Sequence, residues 1–301
     1  MAHQHGAGSD ADGRYLAIAL GLIVAFMAVE VVVALASRSL ALLADSGHML
    51  TDVGAIAGSL LAARVAGRPA TATMTYGYKR AEILAATGNG LTLLLVSVLV
   101  LYEAIRRLVH PDAVHGLPLL VVAAVGVAVN LGATTVLSRA DRSSLNVEGA
   151  FQHVMTDLYA FVATVIAGTI ILVTGFRRAD PLASLVVVGL MLRASLQLLR
   201  PGLRILVEAT PDNMDLAEVR SHILELDEVI AVHDVHAWTL SSGLPMLTAH
   251  VVVSDECLST GEAGRVLDHL QACLAGHFDV EHSTFQLELV GHADHEHDTH
   301  D

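Results

Sequence analysis

Six apolar stretches, at residues 15–36, 40–63, 83–105, 117–137, 150–174 and 181–199, occupy the first two thirds of the chain. Each is about 20 residues, the length a helix rising 1.5 Å per residue needs to cross roughly 30 Å of hydrocarbon. Six buried helices of a large soluble protein would carry charged stripes at helical spacing, and these stretches carry none. Polar breaks such as Arg64-Val-Ala-Gly-Arg68-Pro69 and Ser138-Arg-Ala-Asp-Arg142 separate them. A mean hydropathy of +0.58 with 16% charged residues likewise excludes a disordered chain or an ordinary cytosolic enzyme.

The net charge of −14 belongs to one part only. Residues 1–205 hold 15 Lys+Arg against 12 Asp+Glu, and residues 206–301 hold 2 against 19. The chain therefore divides into a polar N-terminal tail (1–14), a six-span domain (15–205), an acidic C-terminal domain (206–290) and a His/acidic tail (291–301). The start is polar and the first apolar run is long enough to span, which is unlike a cleaved signal peptide. Nine basic residues, among them Arg14, Arg64, Lys79, Arg80 and Arg200, fall on one side of the membrane. Five, including Arg38, Arg106 and Arg177, fall on the other. The excess of Lys and Arg in cytoplasmic loops puts both termini in the cytoplasm.

Charged groups inside a bilayer cost on the order of 2.5–3.5 kcal/mol each even on the mild insertion scale, so they point to function. The second stretch contains Asp45-Ser-Gly-His48-Met-Leu-Thr-Asp52 and the fifth His153-Val-Met-Thr-Asp157. Residues four apart stand one turn above each other on one helix face. Two such faces opposed bring His48, Asp52, His153 and Asp157 around one point, a tetrahedral N₂O₂ set suited to Zn²⁺, with Co²⁺ or Cd²⁺ as other fits. Ca²⁺ and Mg²⁺ prefer all-oxygen shells and Cu⁺ prefers sulfur. Interhelical hydrogen bonding explains a single such motif about as well, but explains two copies poorly. Asp45 shares the face of His48 and reads equally as a water-solvated mouth group and as a pathway residue. Glu30, Asn89 and Asn130 read as supporting or packing groups.

In the C-terminal domain a helix over about 214–226 precedes a strand over 229–240, a Ser-Ser-Gly turn and a strand over 246–253. Ser259-Thr-Gly-Glu262 reads as a capping box opening a helix to about residue 275, and residues 283–289 alternate as a third strand. The order is αββαβ. His233 and His250 lie on the paired strands, His282 opens the third, and Glu288 shares its face by the two-residue period. By the same spacing His236, three residues from His233, points to the opposite face. Cys257 and Cys273 read as free thiols. The tail from Gly291 alternates His with carboxylates and reads as a disordered, weakly metal-capturing segment.

Ser39-Leu-Ala-Leu-Leu-Ala-Asp45-Ser-Gly-His48-Met-Leu-Thr-Asp52, then Tyr76-Gly-Tyr-Lys-Arg80-Ala-Glu82, Asn89, His153 to Asp157, Asp180-Pro181 and His233-Asp-Val-His236-Ala-Trp238, resemble the cation diffusion facilitator family of zinc transporters in order and over residues 15–290. The resemblance implies a homodimer of six-helix protomers, each an all-α transmembrane domain plus a ferredoxin-like α+β cytoplasmic domain. It implies an integral protein of a bacterial inner membrane that exports Zn²⁺ in exchange for protons, with His48, Asp52, His153 and Asp157 as the transport site. The family's cytoplasmic metal sites resemble the set His233, His250, His282 and Glu288, which would bind a regulatory Zn²⁺. Arg80 and Glu208 resemble its basic and acidic pair at the base of the dimer, though ordinary interfacial charges explain them equally. The sequence departs from relatives that carry His and Asp ligands between the second and third spans, since residues 69–78 contain no His, Asp, Glu or Cys.

Nothing in the sequence asks for an organic cofactor or a nucleic-acid partner. Two other readings, an intramembrane metalloenzyme and a membrane-anchored metal sensor, account less well for the chain. There is no H-E-x-x-H helix for the first, and an anchor has no use for paired intramembrane motifs. Two carboxylates in one dry site cannot both stay ionised cheaply, so the metal-free site should hold protons that a metal displaces, with His48 and His153 as the shuttles.

Overall fold

The computed structural model describes the backbone over residues 5–37, 40–110, 116–259, 261–280 and 282–292, with side chains left out of account at 5–11, 33–34, 36–37, 40–48, 51, 116–119 and 258–259. It divides into two compact units, residues 1–203 and 204–301.

The first unit is all helix: α1 (His5–Ser37), α2 (Leu40–Ala66), α3 (Arg80–Val109), α4 (Gly116–Leu137), α5 (Leu145–Thr174) and α6 (Ala179–Leu206). Five of the six are long and apolar enough to cross a membrane within the described residues, and the first third of α2 lies outside those whose side chains are described. Exposed Leu99, Val121, Ile166 and Val186 on four of these helices are an outer surface that suits lipid and not water. One intramembrane charge that the apolar-run reading passes over, Arg193, also stands exposed in the middle of α6.

α1 starts ten residues before the apolar run. Asp12 helps to hold this extension, because its Oδ1 accepts a hydrogen bond from the Asp141 N–H at 2.9 Å. α5 stops at Gly175, whose left-handed φ of 71° costs glycine nothing and lets its N–H cap the Ile171 carbonyl at 2.9 Å.

Two sub-cores fill the bundle. Leu16, Ile23, Ile56, Leu137 and Val154 lock α1, α2, α4 and α5 together. Leu93, Met191, Ala194 and Leu198 lock α3 to α6. The second pair approaches closely at Gly90, where an added Cβ would stand 3.1 Å from the Leu198 Cβ. Small residues of this kind let helices pack by van der Waals contact where no hydrophobic force drives them together.

The second unit places α7 (Leu216–Leu224), α8 (Asp255–Ser259) and α9 (Ala263–Phe278) with a sheet of β1 (Val229–Ser241), β2 (Leu244–Val253) and β3 (His282–Leu289), in the order β1-β2-β3. β1 and β2 run antiparallel, while β3 returns parallel to β2 through the helical crossover. Val232, Leu247, Val251 and Val253 of the sheet bury one face with Val219 and Ile223 of α7 and Leu270 of α9. This is the expected αββαβ layer pair with one added short helix. Asp215 caps α7 by accepting from the Ala217 N–H at 2.9 Å. The expected capping box is not what opens α9. Ser259 closes α8, and Glu262 occupies the cap with helical backbone and no side-chain cap bond, its carboxylate turned to Arg265 at 3.2 Å.

Candidate metal centre

α2 and α5 run antiparallel in sequence order through one sub-core, so the H-x-x-x-D face of each can be turned to the other. Asp52 and His153 are both almost fully buried, and His153 Nε2 lies 2.8 Å from Asp52 Oδ1 across the two helices. Asp157, one turn along α5, completes a group whose ligand atoms all lie within 4.8 Å of one another. A hydrogen bond between an imidazole nitrogen and a carboxylate oxygen holds one proton, and a divalent cation with ligand bonds of about 2.0–2.2 Å fits the same gap once that proton leaves. The other ring nitrogen, His153 Nδ1, is buried with no hydrogen-bond partner among the described residues. His48 stands one turn before Asp52 on α2, and Asp45 one turn earlier. The side chains of both lie outside the described residues.

A polar layer lies two turns from this group, of which the sequence reading named Asn89 and missed Ser59 and Asn146. Asn89 of α3 donates to Ser59 Oγ at 2.9 Å, and Asn146 of α5 donates to the Ser59 carbonyl at 2.8 Å. Ser59 and Asn146 are fully buried. Their spacing was the available signal, since Ser59 follows Asp52 by seven residues and Asn146 precedes His153 by seven, which keeps each on its ligand's helix face. Asn89 therefore has a bonded partner across helices. Asn130 bonds within its own helix, to the Gly126 carbonyl at 3.0 Å. Glu30 of α1 is buried at 2% exposure.

On the other side of the group, a cavity of about 110 Å³ opens between α3, α5 and α6. Asp157 and Thr156 line it at one end and Asp180 and Ser184 at the other. Asp180 faces Arg107 at 3.6 Å, and Arg107 also binds Glu103 at 2.7 Å.

In the second unit the structure brings together three of the four sequence-predicted residues. Glu288, 3% exposed, faces His233 Nε2 at 3.1 Å and His250 Nδ1 at 2.6 Å through its two oxygens, and the three form a compact group. Gln286 holds the Oε1 of Glu288 at 2.9 Å. His282 stands exposed opposite Met246, four residues along β2 from His250, or about 13 Å at strand rise, and is not in the group.

His236 corrects the period-two expectation. His233 pairs with His250 but His236 pairs with Thr248, so β1 fits an extra residue there. Asp234 takes the left-handed φ of 47° that such a bulge uses. The slip returns His236 to the face of His233. Arg80 opens α3 and Glu208 follows α6 with φ 57°, in different units. Cys257 and Cys273 are free thiols.

Residues 16–207 match the family model of the cation efflux transmembrane domain, and residues 211–290 match that of the cation efflux protein cytoplasmic domain. The metal cation efflux system protein CzcD of Cupriavidus metallidurans is 42% identical over 96% of this chain and 89% of its own length. The zinc transporter ZitB of Escherichia coli is 38% identical, covering 96% and 93%. A Bacillus velezensis protein named as a cadmium, cobalt and zinc/H⁺-K⁺ antiporter is 36% identical, covering 97% and 93%. With both of its units matched in order and relatives aligned over nearly their whole length, the chain belongs to the cation efflux family.

Proposed function

We propose that the protein is a proton-coupled antiporter that exports Zn²⁺, and with it Cd²⁺ or Co²⁺, from the cytoplasm. The observation that carries this reading is the buried Asp52–His153–Asp157 group between α2 and α5, three ligating side chains within one coordination sphere inside a membrane domain. His48 is the fourth ligand in this proposal and Asp45 a pathway group before it. The names of the relatives, a zinc transporter and a cadmium, cobalt and zinc/H⁺-K⁺ antiporter, support the metals.

The exchange follows from the ligand chemistry. The proton shared by His153 and Asp52 must leave before the metal binds, because imidazole and carboxylate coordinate in deprotonated form. When the domain turns to the far side, protons return and weaken the metal's hold. The basic-residue excess supports cytoplasmic termini, and with them an acidic C-terminal domain that concentrates cations at the entrance. We place the protein in a bacterial inner membrane as a homodimer joined through its C-terminal domain, with Arg80 and Glu208 as the charge pair at the base. His233, His250 and Glu288 bind a regulatory Zn²⁺, with water completing the shell.

Metal flux into sealed proteoliposomes, with and without a pH difference, tests the reading. The expected result is Zn²⁺ accumulation that rises with the proton gradient and is lost in Asp157→Ala. Accumulation by Asp157→Ala at the parental rate contradicts the site, and an absence of flux in the parental protein contradicts transport and leaves the enzyme and sensor readings.

A further inference from the structure

We propose that Asp180 is the release carboxylate of the transporter, receiving the cation that leaves the Asp52–His153–Asp157 group through the cavity between α3, α5 and α6. The proposal rests on the transport reading above and assigns the route and its far end.

Three observations carry it. First, the cavity is continuous with the site, because Asp157 is both a member of the ligand group and part of the cavity wall. The wall runs along α6 from Met191 to Asp180, about 16 Å at helical rise, toward the end of the bundle where α5 stops and α6 begins. Second, the wall is built for a cation. Thr156 donates its hydroxyl proton to the Gln152 carbonyl at 2.8 Å, Thr164 to Ala160 at 2.9 Å and Ser184 to Asp180 at 3.1 Å. Each hydroxyl has spent its only proton on its own helix and offers the cavity oxygen lone pairs, while Val and Ala side chains cover the remainder. A wall that offers acceptors between two carboxylates favours a divalent cation and repels an anion. Third, hydrogen bonds between helices cross the opposite side of the site. The buried Ser59, Asn89 and Asn146 hydrogen bonds tie α2, α3 and α5 together two turns from the ligands.

Asp180 suits a last station. It is only partly buried, and its 3.6 Å contact with Arg107 is long for a charge-assisted bond, while Arg107 is also held by Glu103 at 2.7 Å. The carboxylate can therefore turn from the guanidinium to a passing cation and back. One carboxylate with a few hydroxyls binds a divalent ion weakly, which is what release requires.

Asp180→Asn in the full-length protein separates release from binding. Zn²⁺ flux in proteoliposomes is expected to fall at least tenfold, equilibrium Zn²⁺ affinity in detergent to stay within twofold, and Asp180→Glu to recover part of the flux. Parental flux in Asp180→Asn, or a tenfold loss of affinity together with flux, overturns the proposal. A second variant, Ser184→Cys, probes the route if Asp180→Asn does not fold. Modification by a charged methanethiosulfonate is expected to cut its remaining flux at least tenfold without loss of Zn²⁺ affinity, and unchanged flux after complete modification overturns the route. The parental protein, whose Cys257 and Cys273 lie in the second unit, keeps its flux under the same reagent. A parental protein that carries no Zn²⁺ at all refutes the transport reading instead, and does so before either variant is compared.

Discussion

At the scale of single residues, the bilayer makes every polar group expensive, so each must be accounted for by a partner or a task. His153 and Asp52 have both, since His153 Nε2 pairs with Asp52 Oδ1 and that bond is the one a metal must replace. Asn146 has a partner only, the Ser59 carbonyl. Its truncation to Ala removes a cross-helix bond to a carbonyl that also serves the α2 ladder and is expected to destabilise the protein by about 0.5–1.5 kcal/mol. A lowered melting temperature in detergent, with Zn²⁺ affinity retained, checks this, and an unchanged melt shows the bond to be dispensable. The grouping of Asp52, His153 and Asp157 was legible in sequence because charge inside an apolar run is rare and the H-x-x-x-D spacing occurs twice. Ser59 and Asn146 were not, because small uncharged polar residues are common in membrane helices and only the cross-helix pairing distinguishes these two from the rest.

At the scale of elements, helices were easier to read than strands. Apolar runs of about 20 residues fix where a span must be, although not where its helix begins, and α1 extends back to His5 because Asp12 finds a backbone partner in the loop before α5. In the sheet the two-residue period holds along β2 and β3, and it places Glu288 with His250. It fails in β1, where the bulge at Asp234 inserts one residue and turns His236 over. The choice of His282 failed differently, because a shared strand face says nothing of distance along the strand. The His233–His250–Glu288 group spans all three strands, so a metal bound there should staple them. Hydrogen exchange of β1, β2 and β3 amides in the full-length protein is expected to slow in the presence of Zn²⁺. At a hundredfold excess over Kd the linkage is worth about 2.7 kcal/mol. Glu288→Gln should lose this protection, and equal protection in the variant contradicts a metal at that group.

At the scale of the whole molecule, the chain joins a near-neutral, slightly basic apolar conduit to a small domain that more than accounts for its net negative charge. The conduit has a buried ligand group with hydrogen-bonded polar side chains on one side and a carboxylate-ended cavity on the other, which is the asymmetry an alternating-access carrier has in one of its two states. The central claim is that metal and proton exchange at this one group. Proton movement measured by a pH-sensitive dye sealed inside proteoliposomes tests it most directly. A Zn²⁺ gradient imposed across the membrane is expected to drive protons in the opposite direction in the parental protein, with both fluxes abolished together in Asp52→Asn. Zn²⁺ entry with no counterflow of protons, or proton counterflow that persists in Asp52→Asn, would contradict it.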